Sequence, residues 1–127
     1  RMINQFGDRL KIMTGVDTLA LESLIMGASG WIAGLVCAFP KETVAIYELQ
    51  KAGRIQEAIA LYRWFMPLLE LDINAKLVQN IKLAEVYTEI GTEFVRPPRL
   101  PLFGAERTKV QHIIETALKS RPTLPNY

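Results

Sequence analysis

A short strand, a helix and a second short strand near the start of the chain limit its fold more than any other feature. Leu10–Thr14 alternates large apolar side chains with others and stops at Gly15, which is typical of a strand that ends in a turn. Thr18–Met26 carries apolar residues at helical spacing, and Gly27 can take the positive φ that ends a helix. Gly30–Ile32 predicts the second strand. Two strands joined by a helix lie parallel with a right-handed connection, so the pattern predicts a βαβ unit.

Asp17 stands where the first strand gives way to the helix. An aspartate at this position can accept a hydrogen bond from one of the backbone N–H groups that lack a partner in the first helical turn. The sequence therefore predicts that Asp17 is the N-cap of the helix Thr18–Met26.

Helices replace the βαβ pattern in the rest of the chain. Apolar residues recur at helical spacing in four segments, which are 41–52, 54–71, 76–90 and 104–120. In the first of these helices we expect Val44, Ile46 and Tyr47 to face the core. The change of pattern divides the chain into residues 1–53, which are of α/β type, and residues 54–127, which are helical.

Composition and charge exclude several classes of protein. Half of the residues are hydrophobic and 22% are charged, so the chain can bury a core. The net charge of +2 is spread along the sequence, which gives no nucleic-acid footprint. Glycines and a serine interrupt the apolar residues 24–39, so the sequence predicts no membrane span. The single cysteine, Cys37, cannot form an internal disulfide, which indicates a cytoplasmic protein.

Two motifs of small residues at the strand ends connect the chain to a known family. Thr14-Gly-Val-Asp17, followed by Gly27-Ala-Ser-Gly-Trp-Ile32, resembles the last two strands of the dihydrodipicolinate synthase / N-acetylneuraminate lyase family. The resemblance continues to Arg96-Pro-Pro-Arg99 and so covers nearly the whole chain. It implies that residues 1–53 are the last βα units of a (β/α)8 TIM barrel and that residues 54–127 form a C-terminal helical extension.

The resemblance also implies that this chain is one piece of a longer protein. A barrel of this kind needs about 250 residues, and about six of its eight strands would then belong to an N-terminal half that precedes Arg1. In the family, the lysine that forms a Schiff base ends the sixth strand. We therefore expect that lysine upstream of this chain, which leaves the chain itself without a catalytic residue. Lys11, which lies inside a strand, is a poor substitute.

By resemblance, three residues of this chain belong to the substrate-binding site. Gly15 and Asp17 match positions where family members contact the distal part of the second substrate, and Ile32 matches a residue whose backbone lies beside the pyruvyl group. Ala33 stands where some members have a serine that binds substrate, so that hydrogen bond is not expected here. The alternative is structural: Gly15 forms a turn and Asp17 caps a helix.

The activity implied by the resemblance is that of a class I lyase or synthase acting on pyruvate or another 2-oxo acid. A lysine attacks the keto group and water leaves; the resulting iminium takes up electrons during carbon–carbon bond making or breaking, dehydration or deamination. No metal or dissociable cofactor is then required. The apolar helical part favours a homo-oligomer, and the missing N-terminal half of the barrel is the other expected partner.

Two alternatives remain open at this point. The sequence of residues 61–69 and 76–84 resembles that of one branch of the family, which acts on hydroxyproline-derived pyrroline carboxylates. That branch has a deaminase or dehydratase activity. The second alternative is a non-catalytic helical interaction module, because the visible chain has no nucleophile–base pair. With one cysteine and one histidine, His112, it has no metal-binding constellation either.

Overall fold

The computed structural model describes residues 1–126, and within that range it contains six α-helices and two short parallel strands. In chain order these elements are α1 (Met2–Phe6), β1 (Met13–Thr14), α2 (Ala20–Ile25), β2 (Gly30–Trp31), α3 (Pro40–Lys51), α4 (Ile55–Leu69), α5 (Leu77–Tyr87) and α6 (Gly104–Lys119). Single 3₁₀ turns lie between them at Gly7–Arg9, Asp17–Leu19, Leu35–Cys37 and Glu70–Asp72.

The predicted parallel pairing of the two strands is confirmed. Met13 lies opposite Gly30 and Thr14 lies opposite Trp31. The ladder is shorter than the sequence suggested, because only two residues of each strand have strand geometry. Gly27 has a φ of 101° and ends the helical connection as predicted, since only glycine adopts that conformation without steric cost.

The hydrophobic core lies mainly between α3 and α4. Small residues at the contact, Ala45 and Ala58, are fully buried and allow the two helices to approach closely. Larger apolar side chains fill the space on both sides of this contact: Leu35, Phe39, Ile46, Leu49, Leu61, Phe65, Leu68 and Leu69. Burial of one such side chain stabilises the fold by roughly 1.5–3 kcal/mol relative to exposure.

The helical segments are confirmed with shifted ends, but the prediction that Val44 faces the core is wrong. Val44 is 46% exposed, and Tyr47 is only half-buried. Ile46 is fully buried as predicted, and the buried face of α3 also carries Glu42, Ala45 and Leu49. These positions follow the i, i+3, i+4, i+7 spacing of one helical face, on which Val44 does not lie.

The residues after α6 contact α3 through an ion pair between a buried carboxylate and a partly exposed guanidinium. Glu42 is 1% exposed, and its Oε1 accepts a hydrogen bond of 2.6 Å from Nε of Arg121. The guanidinium of Arg121 also lies 5.7 Å from the ring centre of Phe39. No donor within residues 1–126 reaches Oε2 of Glu42, so the bond from Arg121 to Oε1 is the main compensation for this buried charge.

Among the described residues, no helix combines the length and the apolar composition that a bilayer-spanning helix requires.

Replacing Arg121 with alanine should destabilise the fold, because it leaves the Glu42 carboxylate buried without its partner. We expect a loss of about 1–3 kcal/mol in the free energy of unfolding, at the lower end because Arg121 is partly exposed. The double variant E42Q/R121A should recover part of that loss, since it buries no charge. The control is R63A, an exposed arginine outside the observed ion pairs of residues 1–126, in urea unfolding at one protein concentration. Equal effects of R121A and R63A would contradict this account.

Candidate functional site

The carboxyl ends of the two strands form an open edge. The N–H of Ile32 donates to the carbonyl of Thr14 at 2.8 Å, which brings the residues after β1 and β2 side by side. Gly15 is exposed at this edge, and Ile32 is 68% exposed. The structure therefore places these two predicted site residues together, with backbone and side chain accessible to a small molecule.

Asp17, the third predicted site residue, lies directly beneath that edge and is completely buried. Its Oδ1 accepts hydrogen bonds from Nε1 of Trp31 at 3.0 Å and from the N–H of Gly34 at 3.1 Å. Its Oδ2 accepts a hydrogen bond from the N–H of Leu35 at 2.9 Å. These three donors satisfy a charge that would otherwise be costly to bury.

The prediction that Asp17 is the N-cap of its own helix is therefore wrong. The Asp17 side chain makes no capping hydrogen bond to α2 or to the turn Asp17–Leu19. It instead binds the start of the turn Leu35–Cys37, in the segment that follows β2. The Asp17 carboxylate is satisfied by Trp31 of β2 and by the segment after β2, whereas the N–H of Ala20 at the start of α2 donates to the hydroxyl of Tyr62.

Tyr62 of α4 holds the backbone on the other side of Asp17. Its hydroxyl donates to the carbonyl of Asp17 at 2.7 Å and accepts from the N–H of Ala20 at 3.1 Å. Burial raises the pKa of Tyr62 to about 12, so the phenol keeps its proton at neutral pH. Tyr62 is part of the hydrophobic core, and its two hydrogen bonds were not predicted from the sequence. The signal for them was a tyrosine in an otherwise apolar helical stripe.

Asp72 was also missed as a neighbour of this site. It ends the turn Glu70–Asp72 after α4, and its carboxyl group lies against Gly34. Burial raises the pKa of Asp72, and the negative charge of Asp17 raises it further. Nothing in the local sequence indicates that Asp72 lies near Asp17 and Gly34, because its position depends on how α4 packs.

The other residues considered from sequence lie away from this edge or are exposed. Cys37 is a free, exposed thiol, and His112 is exposed on α6. Arg96 and Arg99 are exposed on the connector before α6, and no side-chain hydrogen bond links them to helix ends in the described part of the chain. Lys11 is exposed ahead of β1. Across residues 1–126 no cluster of His, Cys, Asp and Glu could hold a metal ion.

Comparison with known proteins gives concordant matches at the level of sequence and fold. The sequence profile described as the Dihydrodipicolinate synthetase family matches residues 1–117. An uncharacterised DapA-like lyase of Pyrobaculum islandicum is 35% identical over 108 residues, which cover 80% of this chain and 36% of the relative. The 4-hydroxy-tetrahydrodipicolinate synthase of Methanopyrus kandleri is 28% identical over 125 residues, which cover 98% of this chain and 40% of the relative.

A solved structure shares the fold. The crystal structure of a candidate dihydrodipicolinate synthetase from Pseudomonas aeruginosa superposes with a TM-score of 0.80 at 23% identity, over 91% of this chain and 40% of that chain. The chain thus spans about two fifths of the length of the relatives it matches.

Replacing Asp17 with asparagine should loosen the segment after β2. The amide cannot accept on both sides, so at least one of the donors Trp31, Gly34 and Leu35 would face another donor. We expect a loss of about 2 kcal/mol in the free energy of unfolding and a shift of the Trp31 indole N–H resonance. The control D8N changes an exposed aspartate and should leave both measurements unchanged. An unshifted Trp31 resonance in D17N would contradict the observed hydrogen bonds.

Proposed function

The chain belongs to the dihydrodipicolinate synthetase family, as its strand-end motifs indicated, and we propose that it forms part of a lyase-type enzyme acting on a 2-oxo acid such as pyruvate. The observation that supports this proposal most directly is the open edge where Gly15 and Ile32 lie together. In (β/α)8 enzymes the active site lies at the carboxyl ends of the strands. In this proposal residues 1–53 supply the last βα units of such a barrel, and residues 54–127 are its helical extension.

The proposed chemistry is formation of a Schiff base between a lysine and the keto group of the substrate. In this proposal the reacting amine belongs to a part of the protein outside this chain. The supporting observation is that no lysine within residues 1–126 directly follows either strand. The iminium that forms draws electrons from the neighbouring carbon–carbon or carbon–heteroatom bond, which makes that bond easier to form or break. A metal ion is not needed for this step.

The three predicted residues have different roles in this proposal. Gly15 leaves room for a substrate group to approach the backbone, and Ile32 places its backbone beside the 2-oxo acid. The buried carboxylate of Asp17 orients Trp31 and Gly34 through hydrogen bonds. Through these two residues it also orients the residues that line the edge. Substrate binding by Asp17 is thus indirect in our proposal.

A non-catalytic interaction module is the second candidate, and the exposed apolar surface favours it. Met13, Val16 and Ile32 are about half exposed or more around the two strands, and Met26 is 77% exposed. Surfaces of this kind mark interaction sites or parts of a larger fold. A deaminase or dehydratase of hydroxyproline-derived substrates is a variant of the first proposal and uses the same iminium.

Trapping the iminium tests the Schiff-base proposal. The protein expressed with its upstream sequence should gain the mass of one reduced pyruvyl group per subunit when it is treated with pyruvate and borohydride. Lactate, which has no keto group, is the matched control. The 127-residue chain treated in the same way should gain nothing. Labelling of the 127-residue chain would contradict our placement of the lysine, and no labelling of the longer protein would contradict the reaction and favour the interaction module.

The 127-residue chain by itself should associate, because two strands leave unpaired edges and exposed apolar side chains. Sedimentation velocity at increasing concentration should show dimers or larger species. The variant I32K, which places a charge at the edge, should reduce association, whereas V86K on α5 should not, although Val86 is also partly exposed. A monomer at every concentration would contradict this prediction.

A further inference from the structure

Two carboxyl groups lie against Gly34 in the segment after β2. Oδ1 of Asp17 accepts a hydrogen bond of 3.1 Å from the N–H of Gly34. The carboxyl group of Asp72 lies so close to Gly34 that a Cβ on this residue would overlap Oδ1 of Asp72 and lie 2.8 Å from its Cγ. Only a residue without a side chain permits this contact.

Within residues 1–126 no cation pairs with Asp72. The ion pairs within residues 1–126 do not include it. Of the charged groups on α4, α5 and the turn Asp17–Leu19, which pack against the turn Glu70–Asp72, Asp17 is the one that acts on Asp72. A partly buried carboxylate next to another carboxylate costs stability when ionised. Packing alone therefore does not explain why a carboxylate occupies this position.

We propose that Asp72 is a positioning residue of the site, which sets the place of residues 32–34 through its contact with Gly34. This inference rests on the proposed function, because those residues matter only if they border a substrate. It assigns part of the site geometry to the helical half of the chain: the turn after α4 and the turn before α2 hold one loop between them. The loop can then shift when the charge on Asp72 changes.

A steric test uses the missing side chain of Gly34. G34A should shift the Trp31 indole N–H resonance and lower the melting temperature by about 5 °C or more, because the new methyl group displaces Asp72 or the loop. D72A in the same chain should restore most of both values. The control G15A adds the same methyl group at the same edge, where no atom lies within 4 Å, and should leave the Trp31 resonance in place. Failure of D72A to restore G34A would overturn the contact.

A pH titration tests whether the charge on Asp72 sets the position of the loop. In the wild-type chain, labelled with ¹⁵N in tryptophan and glycine, the Trp31 indole and Gly34 amide resonances should shift together with a midpoint above the ordinary range of an aspartate. D72N should remove this step. Because the raised pKa means that the ionised form costs stability, the wild-type melting temperature should fall as pH rises through the midpoint, and that of D72N should not. A step that persists in D72N would assign the titration to another group and overturn the proposal.

The two proposals fail in different experiments. If borohydride trapping fails but the Gly34 resonance follows Asp72, the loop is positioned as inferred and the reaction is wrong. If trapping succeeds, D72N in the longer protein should change the pH profile of kcat. The control variant D8N should keep the wild-type profile. A D72N enzyme with an unchanged pH profile would overturn the positioning role even where the lyase reaction stands.

Discussion

The buried carboxylate of Asp17 is the interaction on which the rest of the site depends. A charge with no exposure to water needs several donors, and here they come from a side chain and two backbone groups of the segment after β2. The end of β1 therefore cannot reach its final structure until β2 and the following turn are in place. Once they are, Gly15 and Ile32 border the same edge. A local capping interaction would have tied Asp17 only to α2 and left that edge undefined.

The helical part of the chain completes what the strands begin. Tyr62 holds the backbone around Asp17 from α4, and Asp72 contacts Gly34 from the turn that follows the same helix. Phe39, at the end of the segment after β2, packs edge-on against Phe65 with 5.6 Å between ring centres. Core packing at Phe39 thus fixes the end of the segment after β2, and the earlier residues of that segment border the proposed site. Stability and site geometry share the same contacts, which is why the helices matter for function although they carry none of the predicted site residues.

The repeating patterns of the sequence predicted the elements well, and single side chains less well. Parallel pairing, the glycine that ends α2 and the four later helices follow from local spacing and from the conformational freedom of glycine. Val44 was placed on the wrong face of α3, although the spacing of Ala45, Ile46 and Leu49 is that of the buried face. Local spacing does not show that Glu42, the charged residue on that face, pairs with Arg121, which is far away in sequence. The role of Asp17 was missed because an aspartate before a helix is expected to accept a hydrogen bond from the first helical turn. Its actual donors, Trp31, Gly34 and Leu35, approach it only in the folded protein.

The sequence by itself determined the family, the βαβ start, the helical continuation and the candidate edge at Gly15 and Ile32. These follow from short motifs and from periodic burial, which act over a few residues. The tertiary structure alone decided which donors satisfy Asp17, that Tyr62 reaches the backbone beside it, and that Asp72 meets Gly34. Those contacts join residues separated by 14 to 45 positions in the chain. Their geometry depends on how α4 packs against α3, and no local pattern encodes that packing.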